Sequence, residues 1–180
     1  MKEIMEWVKD ILLAVVIAAV ILAFFKPIIV QQQSMEPNFH AGDYLITSRQ
    51  AYRLFGDPQR GDVIVFKSEL LDENEKPKNL IKRIIALPGE TIEIKGGEVY
   101  IDGQMLQEDY LPGKAISGEM DAVTVPEGQL FVMGDNRECS EDSRSPRVGT
   151  IEQSTIVGKV IVRLYPFNTI KTFKGMDYES

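Results

Sequence analysis

Leu80-Ile81-Lys82-Arg83-Ile84-Ile85-Ala86 is apolar and β-branched on both sides of two adjacent cations. Such residues pack well on a pleated surface, and a stretch of seven residues without Gly or Pro makes a strand's length rather than a helix's. The same texture recurs at Tyr44-Leu45-Ile46-Thr47, Asp62-Val63-Ile64-Val65-Phe66, Thr91-Ile92-Glu93-Ile94, Glu98-Val99-Tyr100-Ile101, Gln129-Leu130-Phe131-Val132 and across 156–165. Ile28-Ile29-Val30 adds a shorter run. Gly96-Gly97 and Asp102-Gly103 suit tight hairpins that need positive φ, while Pro88-Gly89 and Pro126-Glu127-Gly128 end other runs. No amphipathic helical stretch of convincing length intervenes. The expectation is a mostly β fold, an antiparallel β-sheet domain with a small inserted β subdomain in the weakly patterned stretch 106–123. Residues 72–79, charged and poor in apolar side chains, read as an exposed loop, and 174–180 as a mobile tail.

Ahead of the strands lies residues 11–25, fifteen consecutive apolar residues without a charge. At ~1.5 Å per residue this run spans ~22 Å, short of the ~30 Å hydrocarbon core of a bilayer. Continuing to Val30 takes in Lys26 and Pro27. Trp7 and Lys26 stand where interfacial anchors belong. A cleavable leader would be followed by a small-x-small site, whereas this chain reads Phe24-Phe25-Lys26-Pro27. A buried core helix would show an apolar stripe, and this run is apolar all round. One N-terminal transmembrane helix is therefore expected, with 1–10 preceding an anchor over 11–27 and a β-rich domain over 28–173. Lysines are few on both flanks, so charge bias does not decide the orientation.

The chain carries a net charge of −7, and its first thirty residues balance three lysines against three acids. All of the acidity thus belongs to the β domain, which argues against nucleic acid as a partner. The lone Cys139 excludes an intramolecular disulfide. The acids are dispersed and lack a His/Cys frame, so no metal site is expected. With one histidine and one cysteine, an ordinary Ser-His or Cys-His hydrolase has little to work with.

Lys82 offers a different chemistry. Strand alternation points it with Leu80 and Ile84 while Arg83 points away. A free lysine titrates near ~10.4, so at neutral pH reaching its basic form costs roughly 4–5 kcal/mol. Apolar burial lowers that pKa by up to ~3–5, enough for the amine to take a proton from a serine hydroxyl. The same alternation also fits a lysine on the exposed side of an edge strand. Ser34 opens Ser34-Met35-Glu36-Pro37 after a short strand, and the proline would stiffen a turn holding the hydroxyl at the strand end; an ordinary turn reads the same way. His40, beside Ala41-Gly42-Asp43, is a rival base or an exposed loop histidine. Cys139 reads as a small packed residue. Gly134-Asp135-Asn136-Arg137-Glu138-Cys139-Ser140-Glu141-Asp142-Ser143-Arg144 follows a strand and is dense in polar side chains. It is either a solvated loop or a segment braced by an Asp142–Arg144 pair, with Ser140 and Ser143 free to orient a lysine amine.

Taken in order, the apolar anchor, Ser34-Met35-x-Pro37, Arg60-Gly61-Asp62-Val63-Ile64-Val65-Phe66, Lys82-Arg83 with Pro88-Gly89, and Gly134-Asp135-Asn136-Arg137 through Asp142-Ser143-Arg144 resemble bacterial type I signal peptidases. The short chain and single anchor are similar to the Gram-positive forms. The resemblance implies a membrane-anchored Ser/Lys endopeptidase that removes signal peptides from exported precursors, with Ser34 as nucleophile and Lys82 as general base. It also implies Ser140 hydrogen-bonding the lysine amine, Arg83 beside it, and Asp142 with Arg144 as a structural ion pair. Ile28, Val30, Met35, Phe39 and Ile81 would line pockets for small side chains. The implied partners are signal peptides and the lipid bilayer, with neither metal nor cofactor. The implied setting is the bacterial cytoplasmic membrane, crossed once, with 1–10 in the cytoplasm and the catalytic domain outside. Two positions depart from the family pattern: Asn38 replaces a usual threonine, and Gln32 replaces a hydroxyl residue that in some members completes the oxyanion hole. An anchored, catalytically inactive β domain that binds exported proteins, and a Ser34/His40 hydrolase, are the competing readings.

Overall fold

The computed structural model describes residues 2–54, 56–111, 113, 116 and 118–173. The tail expected at 174–180 lies outside them. Helix α1 (Lys2–Phe24) passes without a break into strand β1 (Phe25–Ile29). The helix thus begins before the uncharged run and stops one residue short of its end. Phe25 is already opposite Ser48, Lys26 opposite Thr47 and Pro27 opposite Ile46. Lys26 and Pro27, expected in the anchor, therefore belong to the sheet. Pro27 is tolerated because β1 is an edge strand. The Arg49 N–H donates to the Phe24 carbonyl, so one carbonyl orphaned at the helix end is satisfied by the sheet. Ile4–Phe24 is long and apolar enough to cross a bilayer, and none of it is covered by the rest of the chain. A helix apolar on every side and packed against nothing of its own belongs in lipid.

Ten further strands carry the site: β2 (Tyr44–Ser48), β3 (Val63–Leu71), β4 (Pro77–Ala86), β5 (Thr91–Lys95), β6 (Glu98–Ile101), β7 (Gln104–Met105), β8 (Met120–Thr124), β9 (Gln129–Met133), β10 (Ile151–Glu152) and β11 (Ile156–Tyr165), with a short β12 (Lys171–Thr172). The larger sheet runs β1-β2-β11-β3-β4-β9-β10, with β12 paired to β11, and a four-stranded sheet runs β7-β6-β5-β8. Every pairing described is antiparallel. The two-residue connections Gly96-Gly97 and Asp102-Gly103 have positive φ at both residues, as the twist of such hairpins demands.

Strand β3 shows why its sequence is a continuous apolar run. Val63 and Val65 enter one core cluster with Val30, Met35, Phe39, Leu45 and Val160. Ile64 and Phe66 enter another with Leu80, Ile84, Leu130 and Val132. Both faces of the strand are covered, so both parities must be apolar. A third cluster joins the sheets, with Ile85, Ala86, Phe131 and Met133 of the large one against Ile92, Ile94, Val99, Ile101 and Tyr110.

Two expectations are corrected here. Of residues 72–79 only 72–76 form the exposed loop expected; β3 and β4 pair out to Leu71 opposite Pro77, so 77–79 belong to β4 and the loop is a short hairpin tip. Asp72 Oδ1 accepts the Asn74 and Lys76 N–H groups there, at 2.8 and 3.0 Å. A hairpin extended into solvent needs backbone pairing but no apolar side chains, so its composition is that of a loop. The inserted unit is also larger than 106–123, since all four strands of the small sheet, from Thr91 to Thr124, belong to it.

Candidate active site

Strand β1 delivers the chain to Val30, whose N–H donates to the Asp43 carbonyl and whose carbonyl accepts the Gly42 N–H. Beyond it the chain turns, and Met35 and Phe39, both fully buried, plug that turn into the core beneath β1. Ser34 rides on this plug. Its carbonyl accepts the Asn136 N–H, and the neighbouring Gln33 carbonyl accepts Asn136 Nδ2. The nucleophile candidate is thus tied to the segment that leaves β9.

Lys82 sits mid-strand in β4, opposite Ile64. It is 1% exposed and Ser34 is 5% exposed. Lys82 Nζ donates to Ser34 Oγ at 2.7 Å. Burial pushes the lysine down to about 8, against the opposing pull of the Asp142 and Asp135 carboxylates; Lys78 and Arg144 add to the lowering. At pH 7 a base of that strength is roughly one-tenth neutral, against about one part in three thousand at the ordinary value. When neutral, the amine can accept at the same contact, with Ser34 Oγ–H as donor. The Ser34 N–H itself donates to no acceptor among the described residues.

Around the dyad lies a frame of buried ion pairs. Arg83 Nε and Nη2 reach the two oxygens of Asp135 at 2.8 and 2.6 Å, and its Nη1 donates to the Gly61 carbonyl. Asn38 Nδ2 donates to Asp135 Oδ2 at 2.9 Å and to the Tyr110 carbonyl at 2.9 Å. Arg144 binds both oxygens of Asp142, at 2.8 and 2.9 Å, and Asp142 Oδ2 also accepts the Gly134 N–H. Burial alone would push the Asp142 carboxyl up, but Arg144 and the Gly134 N–H hold it below the usual carboxylate range. Gly134 itself is pinched. A Cβ there would lie 2.2 Å from Ser140 Oγ and 2.3 Å from the Ser34 carbonyl oxygen.

The structure therefore brings Ser34, Lys82, Arg83, Ser140, Asp142 and Arg144 into one neighbourhood. Arg83 leaves β4 away from Lys82, as strand alternation requires. Ser140 Oγ is buried and makes no hydrogen bond to the Lys82 amine; it fills the space a Cβ on Gly134 would take and helps to hold the Asp142 carboxyl below its usual range. Ile28, Val30, Met35, Phe39 and Ile81 share one core cluster; Val30, Met35 and Phe39 are buried, while Ile28 and Ile81 remain partly open. His40 is exposed, with its N–H donating to Asp43. Cys139 is exposed too, which corrects its reading as a packed residue: it lies in the loop beyond β9, outside every core cluster. Among the described residues no group of three or more His, Cys, Asp or Glu could hold a metal.

Three contributors escaped the sequence reading. Asp135 was visible within the Gly134–Arg144 constellation, yet nothing local marked it as the partner of Arg83, 52 residues away. Glu108, which takes two bonds from Arg137 at 2.9 and 2.5 Å, and Tyr110 lie in a stretch with no periodicity to reveal them.

The family model described as signal peptidase, peptidase S26, matches residues 4–165. Signal peptidase I of Bacillus licheniformis is 38% identical, with 94% of this chain and 93% of that protein covered. Signal peptidase I T of Bacillus subtilis (strain 168) is 35% identical, covering 94% of this chain and 90% of that protein. A solved signal peptidase I from Enterococcus faecalis V583 is 35% identical with a TM-score of 0.48, covering 57% of this chain and 96% of that one.

Proposed function

This chain belongs to the signal peptidase family, peptidase S26, whose members cleave signal peptides from exported precursors, and from that premise we propose that Ser34 is its nucleophile and Lys82 its general base. The contact that carries the proposal is Lys82 Nζ to Ser34 Oγ at 2.7 Å between two buried groups. Neutral Lys82 takes the hydroxyl proton as Ser34 Oγ attacks the scissile carbonyl, and the protonated amine then returns a proton to the departing amine of the mature chain. The acyl-enzyme is hydrolysed by a water that Lys82 deprotonates in turn. The uncommitted Ser34 N–H supplies one donor to the oxyanion.

Asp142, Arg144 and the Arg83–Asp135 pair act as supports, holding the β9 exit loop against the serine turn. Ser140 packs at the Gly134 contact behind the dyad. The substrate lies extended, with small side chains against Ile28 and Ile81, over a floor of Val30, Met35 and Phe39. This reading divides the chain into a short segment before the bilayer, an anchor and a β-rich peptidase unit. It puts the N-terminus in the cytoplasm and the β domain on the outer face of a bacterial cytoplasmic membrane, which the chain crosses once. The uncovered Ile4–Phe24 helix supports the crossing. Purified Ser34→Ala and Lys82→Met proteins, assayed on a precursor in detergent, are each expected to lose ~1,000-fold or more in kcat. Wild-type turnover by either one refutes the dyad; from Lys82→Met alone it favours a Ser34/His40 mechanism, which His40→Ala then tests, whereas from Ser34→Ala it excludes that mechanism as well.

A further inference from the structure

Glu108 and Tyr110 lie in the connection from β7 to β8, so they belong to the inserted sheet, yet their polar atoms face the dyad's frame. The Arg83 guanidinium carbon sits 4.0 Å from the centroid of the Tyr110 ring. The Tyr110 carbonyl accepts Asn38 Nδ2, and its hydroxyl accepts Arg137 Nη2 at 3.1 Å while donating to Glu108 in a short hydrogen bond. Arg137, doubly bonded to Glu108, donates from Nε to the Gly134 carbonyl.

Two routes therefore run from this one residue to the reacting pair. One passes through Arg83 to the strand position next to Lys82, and through Asp135 and Asn38 to the turn that carries Ser34. The other passes through Glu108 and Arg137 to Gly134, which touches both the Ser34 carbonyl and Ser140. Tyr110 itself is 9% exposed and packs with Ile85, Ala86 and Met133 at the junction of the sheets. A ring over a guanidinium is worth more when water is excluded, and it fixes the plane of the fork that grips a carboxylate.

Resting on the Ser34/Lys82 reading, we infer that Tyr110 is a positioning residue for the cleavage reaction: its ring orients Arg83 so that Asp135 holds the serine turn against Lys82. The inserted sheet is then part of the catalytic apparatus rather than an appendage. Without the ring, Arg83 loosens its grip on Asp135 and water gains the junction. A freer Asp135 carboxylate and a wetter amine both favour charged Lys82; Asp142, Lys78 and Arg144, the other charges around it, stay in place.

The test is steady-state cleavage of a precursor by the full-length protein in detergent across pH, alongside thermal melting. Tyr110→Phe, which keeps the ring, is expected to keep kcat within ~3-fold and the acid limb of its pH profile unmoved. Tyr110→Leu is expected to lose ~10-fold or more in kcat with KM little changed, and its acid limb to move to higher pH by ~0.5 or more. Should Tyr110→Leu not fold, Tyr110→Met fills more of the space without a ring and carries the same expectation. An unmoved acid limb in the ringless variant, whatever its melting temperature, overturns the inference, as does Tyr110→Phe falling to the ringless level. Ser34→Ala and Lys82→Met controls separate the failures. Normal turnover by either control sinks the dyad, whereas inert controls with an unmoved ringless profile sink only Tyr110.

Discussion

A buried amine against a hydroxyl feels two opposing influences. Burial favours the neutral form of Lys82, the carboxylates of Asp142 and Asp135 favour the charged one, and burial wins by bringing it to about 8. Cleavage is therefore expected to rise with pH through an acid limb near 8, seen in kcat/KM of the full-length protein. The same shift acts on stability. Below pH 8 both folded and unfolded chains hold the proton, and the folded state bears the full cost of a buried ammonium. Between 8 and the unfolded value near 10.5 the folded chain has released its proton, and that cost disappears. Lys82→Met should accordingly be more stable than wild type by roughly 3 kcal/mol below pH 8, with the difference vanishing toward pH 10.5. Thermal melts across that range check the sign. Gly134 makes a second prediction at this scale. A methyl at 2.2–2.3 Å from Ser140 Oγ and the Ser34 carbonyl has nowhere to go, so Gly134→Ala should lose ~100-fold in kcat through displacement of the serine.

At the level of elements, the segment after β9 does more than cap a strand. Its backbone ties down the serine turn through Asn136, and its side chains return to it through the Asp142 contact with the Gly134 N–H. Asp142 is fully buried and Arg144 only 18% exposed, so removing one charge strands the other. Asp142→Asn is expected to cost ~3–5 kcal/mol and to depress cleavage with it, measured by denaturant unfolding beside activity. The β3–β4 tip offers the contrasting case. Asp72 caps two N–H groups of an exposed turn far from any core cluster, so Asp72→Ala should cost ~1 kcal/mol at most and leave turnover unchanged. The strands themselves were legible from alternation and β-branching, because each needs only its own residues and a covered face. The hairpin extension was not, since its strand ends are paired through backbone alone and carry the charges of a loop.

For the molecule as a whole, the helix and the β domain share one covalent joint, where Phe24 ends the helix and Phe25 enters the sheet. No flexible linker intervenes, so the site is held at a short distance from whatever the helix is embedded in. A protein lacking residues 2–24 should lose far more activity on membrane-inserted precursors than on a soluble peptide, because only the former gains effective concentration from a shared bilayer. Comparing the two substrates with the same truncated preparation checks this. What the chain's order of residues determined alone was the lipid-compatible helix, the strands, the tight hairpins and the choice of Ser34 and Lys82 as the pair proposed to react, all carried by neighbours close in sequence or by a motif. What only the tertiary structure decided was whether Lys82 was dry, which partner Arg83 took, and that Tyr110 of the inserted sheet joined the frame. Those outcomes depend on pairs separated by 48, 52 and 72 residues, brought together by the closing of the sheets. A desolvated charge is a property of everything packed around it, and no local pattern encodes that.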